Sequence, residues 1–509
     1  MTTLSRSLRV VFLVCGSTLA AADRNSKVEA LLQRMTLDEK IGQLNQIGGT
    51  ALVPGMPKPD DPIRAGHAGS VLWLSDPAEI NRLQKIAVEE SRLGIPLIFA
   101  LDVIHGFRTI FPMPLAMAAS WDMGLIEHSQ FIAAREARAN GIAWTFAPMV
   151  DIARDPRWGR MIEGAGEDPY LGSAVARAQV RGFQGPDPSQ PDRVLACAKH
   201  FAGYGAADGG RDYDSSYIPE SELWNVYLPP FRAALEEGVG SFMSAYMDLN
   251  DVPATGNPFL LQDVLRKSWS YQGFVVSDAF AVRDLVTHGF APNPMEAAFR
   301  AFTAGVNMDM ASGVYMAHLS ESVHSGRVKE AAINDAVRPI LEAKFRLGLF
   351  EHPYVDLARA KAVNLTQEHR DAARDAARRS AVLLRNQNAL LPLRKETRSI
   401  AVIGPLADSK RDMLTMWSGF DVDPSSAVTV VDGIRKKAPN ERVEFAPGTQ
   451  IVKLFPSMFE GMMKAEQPTP WDDARAKAEV AKAVDMARRS DVVVVVLGEG
   501  AFMSGEMAS

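Results

Sequence analysis

The sequence predicts an α/β protein: a (β/α)8 TIM-like barrel followed by a second, smaller α/β unit with a parallel sheet. Three observations carry this. From about residue 65 to 345, apolar runs of 4–7 residues alternate with helical patterns, the signature of parallel strands joined by helical crossovers. Seven such runs can be counted, so a barrel requires one irregular strand. Finally, polar residues follow different runs directly: Asp102, Lys199 with His200, Tyr246 and Asp278. An open doubly wound sheet would also alternate, but only a barrel brings all its strand ends to one mouth. At 509 residues the chain is too long for one core.

Residues 1–22 read as a signal peptide. Arg6 and Arg9 precede the apolar run Val10 to Cys15, and Ala20-Ala21-Ala22 offers small residues for cleavage. The run is too short for a membrane span, so a periplasmic or secreted protein is expected. Residues 26–355 are assigned to the barrel, 356–395 to a linker and 396–509 to the second domain. Ser26 to Gln43 is helical, and Thr36-Leu-Asp-Glu39 is a capping box that divides it. The strands follow at Gly69–Leu74, Ile95–Leu101, Ile142–Ala147, Val194–Ala198, Gly240–Ala245, Gly273–Ser277 and Ala304–Asp309. In the second unit Ser399–Gly404, Val443–Ala446 and Asp491–Leu497 read as strands. Asp491-Val-Val-Val-Val-Val-Leu497 is apolar on both faces, which places it in the middle of a parallel sheet. Only three strands are visible there, so the sequence is expected to be a C-terminal truncation of a longer protein.

The totals exclude several functions. Net charge is −6 and no basic tract occurs, so a nucleic-acid partner is not expected. The two cysteines, Cys15 and Cys197, give no disulfide framework. No HxH or HExxH pattern offers metal ligands, so no metal or cofactor is expected.

Asp278 ends a buried strand, where a carboxylate has no packing reason to stand. It reads either as a nucleophile or as a cap of the following helix. Glycoside hydrolysis needs two carboxyl groups, one to attack or activate water and one to donate a proton. It also needs groups that hold sugar hydroxyls. Asp102 could accept from them, and Lys199, His200 and Arg160 could donate. Each also has a structural reading: Arg160 pairing with Glu163, Glu167 or Asp168, Lys199 balancing Asp102 or Asp278, His105 simply satisfied in the core. A Schiff-base reading of Lys199 needs a depressed pKa and a phosphate loop, and no glycine-rich run follows Met310. A noncatalytic sugar-binding protein is the alternative from another class.

Several ordered stretches carry a family resemblance: Ala100-Leu-Asp-Val-Ile-His-Gly106, Arg154-Asp-Pro-Arg-Trp-Gly-Arg160, Gly166-Glu-Asp-Pro-Tyr170, Lys199-His-Phe-Ala-Gly-Tyr-Gly205 and Phe274-Val-Val-Ser-Asp278. On these the chain resembles the β-glucosidases of glycoside hydrolase family 3, from about residue 26 to the end. The resemblance implies a barrel followed by an α/β sandwich, an active site at their interface and a retaining mechanism on an oligosaccharide or glucoside. Asp278 matches the nucleophile. Asp102, Arg160, Lys199, His200 and Tyr246 match groups that hold the non-reducing-end sugar. The acid/base comes from the second domain, where Glu506 is the best match and Glu499 the second. Two departures stand out. Ala279 follows the nucleophile where many relatives have Trp, and Trp417 is a candidate to supply stacking instead. Gly203-Tyr204-Gly205 lacks the histidine of the β-N-acetylhexosaminidase branch. β-Xylosidase activity remains an alternative, because the two sugars differ only by a hydroxymethyl group.

Overall fold

The structure is a computed structural model that describes residues 23–49, 58–394, 396–418, 422–452, 469–501 and 503–507. The signal peptide assigned to residues 1–22 lies outside the described residues.

Eight parallel strands form a closed ring. They are β1 (Asn45–Gly48), β2 (Ser70–Leu72), β3 (Ile98–Leu101), β4 (Trp144–Thr145), β5 (Cys197–Phe201), β6 (Ser241–Ser244), β7 (Phe274–Ser277) and β8 (Asp309–Met310). Continuous ladders run β8-β1-β2-β3-β4 and β5-β6-β7. Parallel bridges join the two arcs at Trp144–Leu195 and Met149–Lys199 on one side and at Val276–Met308 on the other. The Thr145 amide donates to Leu195 O at 2.9 Å and the Ser277 amide to Met308 O at 2.9 Å, so both seams are hydrogen-bonded.

The strand that lacked an apolar run is β1. Its sequence, Asn-Gln-Ile-Gly, has little β-propensity, and it is recruited by pairing on both edges, with β8 and β2. Its polar side chains are used inside the wall: the buried Gln46 donates from Nε2 to Ser70 Oγ at 2.7 Å. The preceding helix, Leu37–Gln43, starts with the capping box read from the sequence. Thr36 N donates to Glu39 Oε2 at 2.9 Å and Glu39 N to Thr36 Oγ1 at 3.2 Å. Trp144 anchors the barrel interior, edge-on to Phe146 and Phe274, with its indole N–H donating to Ser241 Oγ at 2.8 Å.

In the second unit β9 (Ser399–Ile403) is central, with β10 (Arg442–Ala446) and β11 (Val492–Val495) parallel on either side. The sequence predicts the valine run as a middle strand with neighbours on both sides. Among the described residues it is an edge, and Val493 and Val495 are 41% and 56% exposed. No described helix is long and apolar enough to cross a membrane.

Candidate active site

The mouth is built from residues at the ends of strands β3 to β7 and in the loops beyond them. Asp278 is the first residue past β7, whose four residues are fully buried. The Ala279 amide donates to Asp278 Oδ1 at 2.8 Å. Lys199 and His200 lie within β5 rather than beyond it, because the ladder extends to Phe201. Lys199 Nζ donates to Asp102 Oδ1 at 2.8 Å, just past β3. Tyr246, two residues past β6, is half-buried, and it helps to lower the Asp278 pKa. Arg160 is fully buried in the turn Gly159–Glu163, where its guanidinium grips Glu163 with two bonds of 2.9 and 3.1 Å. The structure thus selects Glu163 from the three carboxylates that flank Arg160 in sequence.

Glu506 comes to this mouth from the second domain. Its carboxylate is buried, accepts from the Tyr213 hydroxyl at 2.6 Å and lies 3.6 Å from Arg160 Nη1. Two backbone bonds fix its loop to the barrel. Gly505 N donates to Gly159 O at 2.6 Å and Met507 N to Asp212 Oδ2 at 2.7 Å, while Asp212 Oδ1 accepts from Tyr204 at 2.6 Å. Glu499 is exposed and bonded by the Ser504 hydroxyl, so only Glu506 enters the site. A second docking point is His105, whose ring nitrogens lie 2.7 Å from Phe111 O and 2.7 Å from Met416 O. This is the structural role that the sequence offered as one reading of His105, and the ring ties the barrel to the loop carrying Trp417. The Trp417 ring stands 5.2 Å from Lys199 Nζ.

His200 differs from expectation. Its Nδ1 and its backbone N both reach Asp151 Oδ2, at 2.8 and 2.9 Å. A backbone N–H can only donate, so Oδ2 accepts from it. Where Asp151 is a carboxylate, Oδ2 accepts from Nδ1 too and the ring proton sits there, against burial that pushes Asp151 up to about 8. Burial lowers the His200 pKa well below its ordinary value, with Arg160 and Lys199 adding to this, so the ring is neutral. Nε2 is then an acceptor, not the donor read from the sequence. It faces Asp278 Oδ2 at 3.5 Å, and neither atom has a hydrogen-bond partner among the described residues. Arg160 Nη1 likewise has no hydrogen-bond partner among them. Two acceptors and one donor therefore point into the mouth, the pattern a ring of hydroxyl groups would satisfy.

The two carboxyl groups differ in environment. Burial pushes Asp278 up to about 6, while Arg160, Lys199, the Ala279 amide and Tyr246 oppose the rise. Burial pushes Glu506 up to about 7. Arg160 pulls it back and the negative charge of Asp278 adds to it. Burial also works against the Lys199 ammonium, yet neighbouring carboxylates led by Asp102 outweigh this and its pKa is raised. That is the wrong direction for a Schiff-base lysine. Sequence reasoning missed Asp151, Asp212 and Tyr213 as site residues. Asp151 follows a strand end like the others, but Asp212 and Tyr213 sit in an aperiodic loop that gives no signal.

A parallel barrel with two buried carboxyl groups at its mouth, one from each domain, is the architecture of a two-domain glycosyl hydrolase. Residues 36–343 match the glycosyl hydrolase family 3 N-terminal domain and residues 381–509 the family 3 C-terminal domain, so the chain belongs to glycosyl hydrolase family 3. It is 39% identical over 499 residues to a periplasmic beta-glucosidase of Salmonella typhimurium, covering 96% of this chain and 64% of the relative. A beta-xylosidase of Formosa agariphila is 34% identical, with 95% of this chain and 62% of the relative covered. The crystal structure of a beta-glucosidase from Listeria innocua in complex with isofagomine superposes with a TM-score of 0.85 at 36% identity, over 95% of this chain and 65% of that one. The chain thus spans less than two thirds of the length of these relatives.

Proposed function

We propose that this chain carries the active site of a retaining, exo-acting β-glucosidase, exported to the periplasm or secreted. Residues 26–355 would form its catalytic barrel, 356–395 a linker and 396–509 the α/β sandwich domain. The observation that carries the reading is the burial of Glu506, from the second domain, against Arg160 and Tyr213 at the mouth that Asp278 enters from β7. In this reading Asp278 attacks the anomeric carbon while Glu506 gives its proton to the leaving oxygen. Glu506 then takes a proton from the water that releases the covalent sugar. The unequal environments favour these roles: the group more reluctant to ionise is the acid.

The terminal glucosyl unit would donate its hydroxyls to Asp102, His200 Nε2 and the free oxygen of Asp278, and accept from Arg160, Lys199 and Tyr246. The names of the relatives support glucoside first and xyloside second, with 39% identity to the glucosidase against 34% to the xylosidase.

Initial rates on p-nitrophenyl β-glucoside, β-xyloside and β-N-acetylglucosaminide test the reading. The glucoside is expected to be hydrolysed fastest, with Asp278→Ala losing at least ~1000-fold while glucose binding partly survives. Full turnover by Asp278→Ala, or faster release from the N-acetyl substrate, would overturn it.

A further inference from the structure

Glu506 reaches the mouth on a loop of the second domain, and two adjacent residues of one barrel loop receive it. Asp212 holds the backbone beside it. Its Oδ2 accepts from Met507 N at 2.7 Å, and its Oδ1 accepts from the Tyr204 hydroxyl at 2.6 Å and from Trp158 Nε1 at 2.9 Å. Tyr213 holds the carboxyl group, donating from its hydroxyl to Glu506 Oε1 at 2.6 Å. Tyr213 lies in the left-handed backbone region, with φ of 67°, which bulky residues keep only where the surroundings enforce it. Its ring is packed against two others. It is near-parallel to Tyr204, with centroids 6.5 Å apart and planes at 17°, and edge-on to Tyr246 at 5.0 Å and 81°.

The two oxygens of Glu506 are not equivalent. Oε1 takes the Tyr213 hydrogen bond and is also the atom 3.6 Å from Arg160 Nη1. Oε2 has no hydrogen-bond partner among the described residues. Burial and the Glu506 charge raise the Tyr213 pKa, so the phenol keeps its proton. Its hydroxyl has no other acceptor among the described residues, so that proton is directed at Oε1. A proton on Oε1 would meet two donors, the phenol and the guanidinium. A proton on Oε2 meets neither.

We propose that Tyr213 is the positioning residue of the acid/base: its hydroxyl holds Glu506 Oε1, so that Oε2 alone exchanges protons with the substrate. The proposal rests on the reading of Glu506 as the acid/base and deepens it. In the first step Asp278 bonds to the anomeric carbon, the bond to the leaving oxygen breaks, and that oxygen takes the proton from Oε2. Glu506 becomes a carboxylate, and the Tyr213 hydrogen bond strengthens as the charge forms. In the second step Oε2 takes a proton from water, whose oxygen displaces Asp278 from the sugar. Tyr213 keeps its own proton throughout. The other charged and titratable groups around Glu506 are Arg160 and Glu163 of the turn Gly159–Glu163, Asp278 past β7, Tyr246 past β6 and Asp212. Arg160 and the Tyr213 hydroxyl favour the carboxylate, while burial, Asp278 and Glu163 oppose it. Without the hydroxyl the balance moves toward the protonated form.

Tyr213→Phe removes the hydroxyl and keeps the ring, and two measurements read the result. The falling limb of kcat/KM on phenyl β-glucoside should move up by about one pH unit, since a hydrogen bond to the ionised form is lost. At the pH optimum, kcat/KM on phenyl β-glucoside relative to 2,4-dinitrophenyl β-glucoside, whose leaving group needs no proton, should fall about 10-fold as the carboxyl group loses its fixed orientation. The second measurement is a ratio of two substrates, so a general loss of folded protein cancels. A ring that served packing alone would leave both readings unmoved, because Phe fills the same space. An unmoved limb or an unchanged ratio overturns the role of Tyr213. Glu506→Gln separates this from the reading beneath it. If that variant keeps the wild-type ratio, Glu506 is not the acid and both fail. If it loses the ratio while Tyr213→Phe keeps it, only the role of Tyr213 fails.

Discussion

Arg160 Nη1 lies 3.6 Å from Glu506 Oε1, while the opposite edge of the same guanidinium is locked to Glu163 by two hydrogen bonds. A single buried cation of the barrel thus sets the charge balance of a carboxyl group that belongs to the other domain. It also opposes, most strongly of the neighbouring groups, the burial-driven rise of Asp278. Replacing it strands Glu163, which is fully buried. Arg160→Met is expected to destabilise the fold by about 3–5 kcal/mol, the cost of an uncompensated buried charge. Adding Glu163→Gln should return a large part of that loss. Urea midpoints of the single and double variants measure both, and additive losses would mean that the pair is not coupled.

The pH profile depends on the same cluster. The proposed mechanism needs Asp278 without its proton and Glu506 with one. Burial pushes Asp278 up to about 6, so kcat/KM should rise as pH climbs through that value. Burial pushes Glu506 up to about 7, so activity should fall as pH climbs past it. The expected optimum is narrow and lies between the two. An aryl glucoside whose leaving group needs no proton should lose the falling limb, and Glu506→Gln should lose it on that substrate too. A falling limb that persists in Glu506→Gln would assign the acid elsewhere.

His200 presents a bare Nε2 where the Asp151 carboxylate accepts from its Nδ1–H. Asp151→Ala leaves that N–H and the His200 amide without an acceptor and frees the ring to change tautomer. Stranding buried donors costs about 1–3 kcal/mol, so kcat/KM on the glucoside should drop roughly 10–100-fold, mainly through KM. Nitrogen NMR of the imidazole provides the second reading: one tautomer in the wild type, a mixture in the variant. A merely structural Asp151 would lower stability and leave the tautomer alone.

How much of this was legible beforehand depends on what makes a signal. Asp102, Lys199, His200, Tyr246 and Asp278 stood out because each ends an apolar run, and that contrast survives in one dimension. Arg160 was readable as a paired cation, but the choice among Glu163, Glu167 and Asp168 came only from the structure. β1 was not readable, since Asn45 and Gln46 owe their place to partners on β8 and β2 that lie far away in sequence. Asp212 and Tyr213 were invisible because the loop that holds Glu506 has no period. The valine run was readable as a strand, and among the described residues it pairs on one edge, with β9.

Lys344 offers a test of the barrel's own stability, away from the mouth. It lies on the helix Glu330–Arg346, fully buried against the helix Leu37–Gln43, and it donates to Gln43 Oε1 at 2.6 Å. With no carboxylate among the described residues to offset it, burial lowers its pKa to about 7. Unfolded, the same amine titrates near ~10.4. Between those values the unfolded chain binds a proton that the folded chain does not, so stability climbs with pH across that window. Below about 7 both states are protonated and the full penalty applies, on the order of 3–5 kcal/mol at about 1.4 kcal/mol per pKa unit. Lys344→Met removes the penalty but leaves Gln43 Oε1 unpaired, at about 1–3 kcal/mol. The variant should therefore be more stable than the wild type by about 1–3 kcal/mol at pH 6.5, with the advantage gone or reversed by pH 10. Urea unfolding at the two pH values measures it, and an advantage that does not change with pH would mean that Lys344 keeps its charge in the folded barrel.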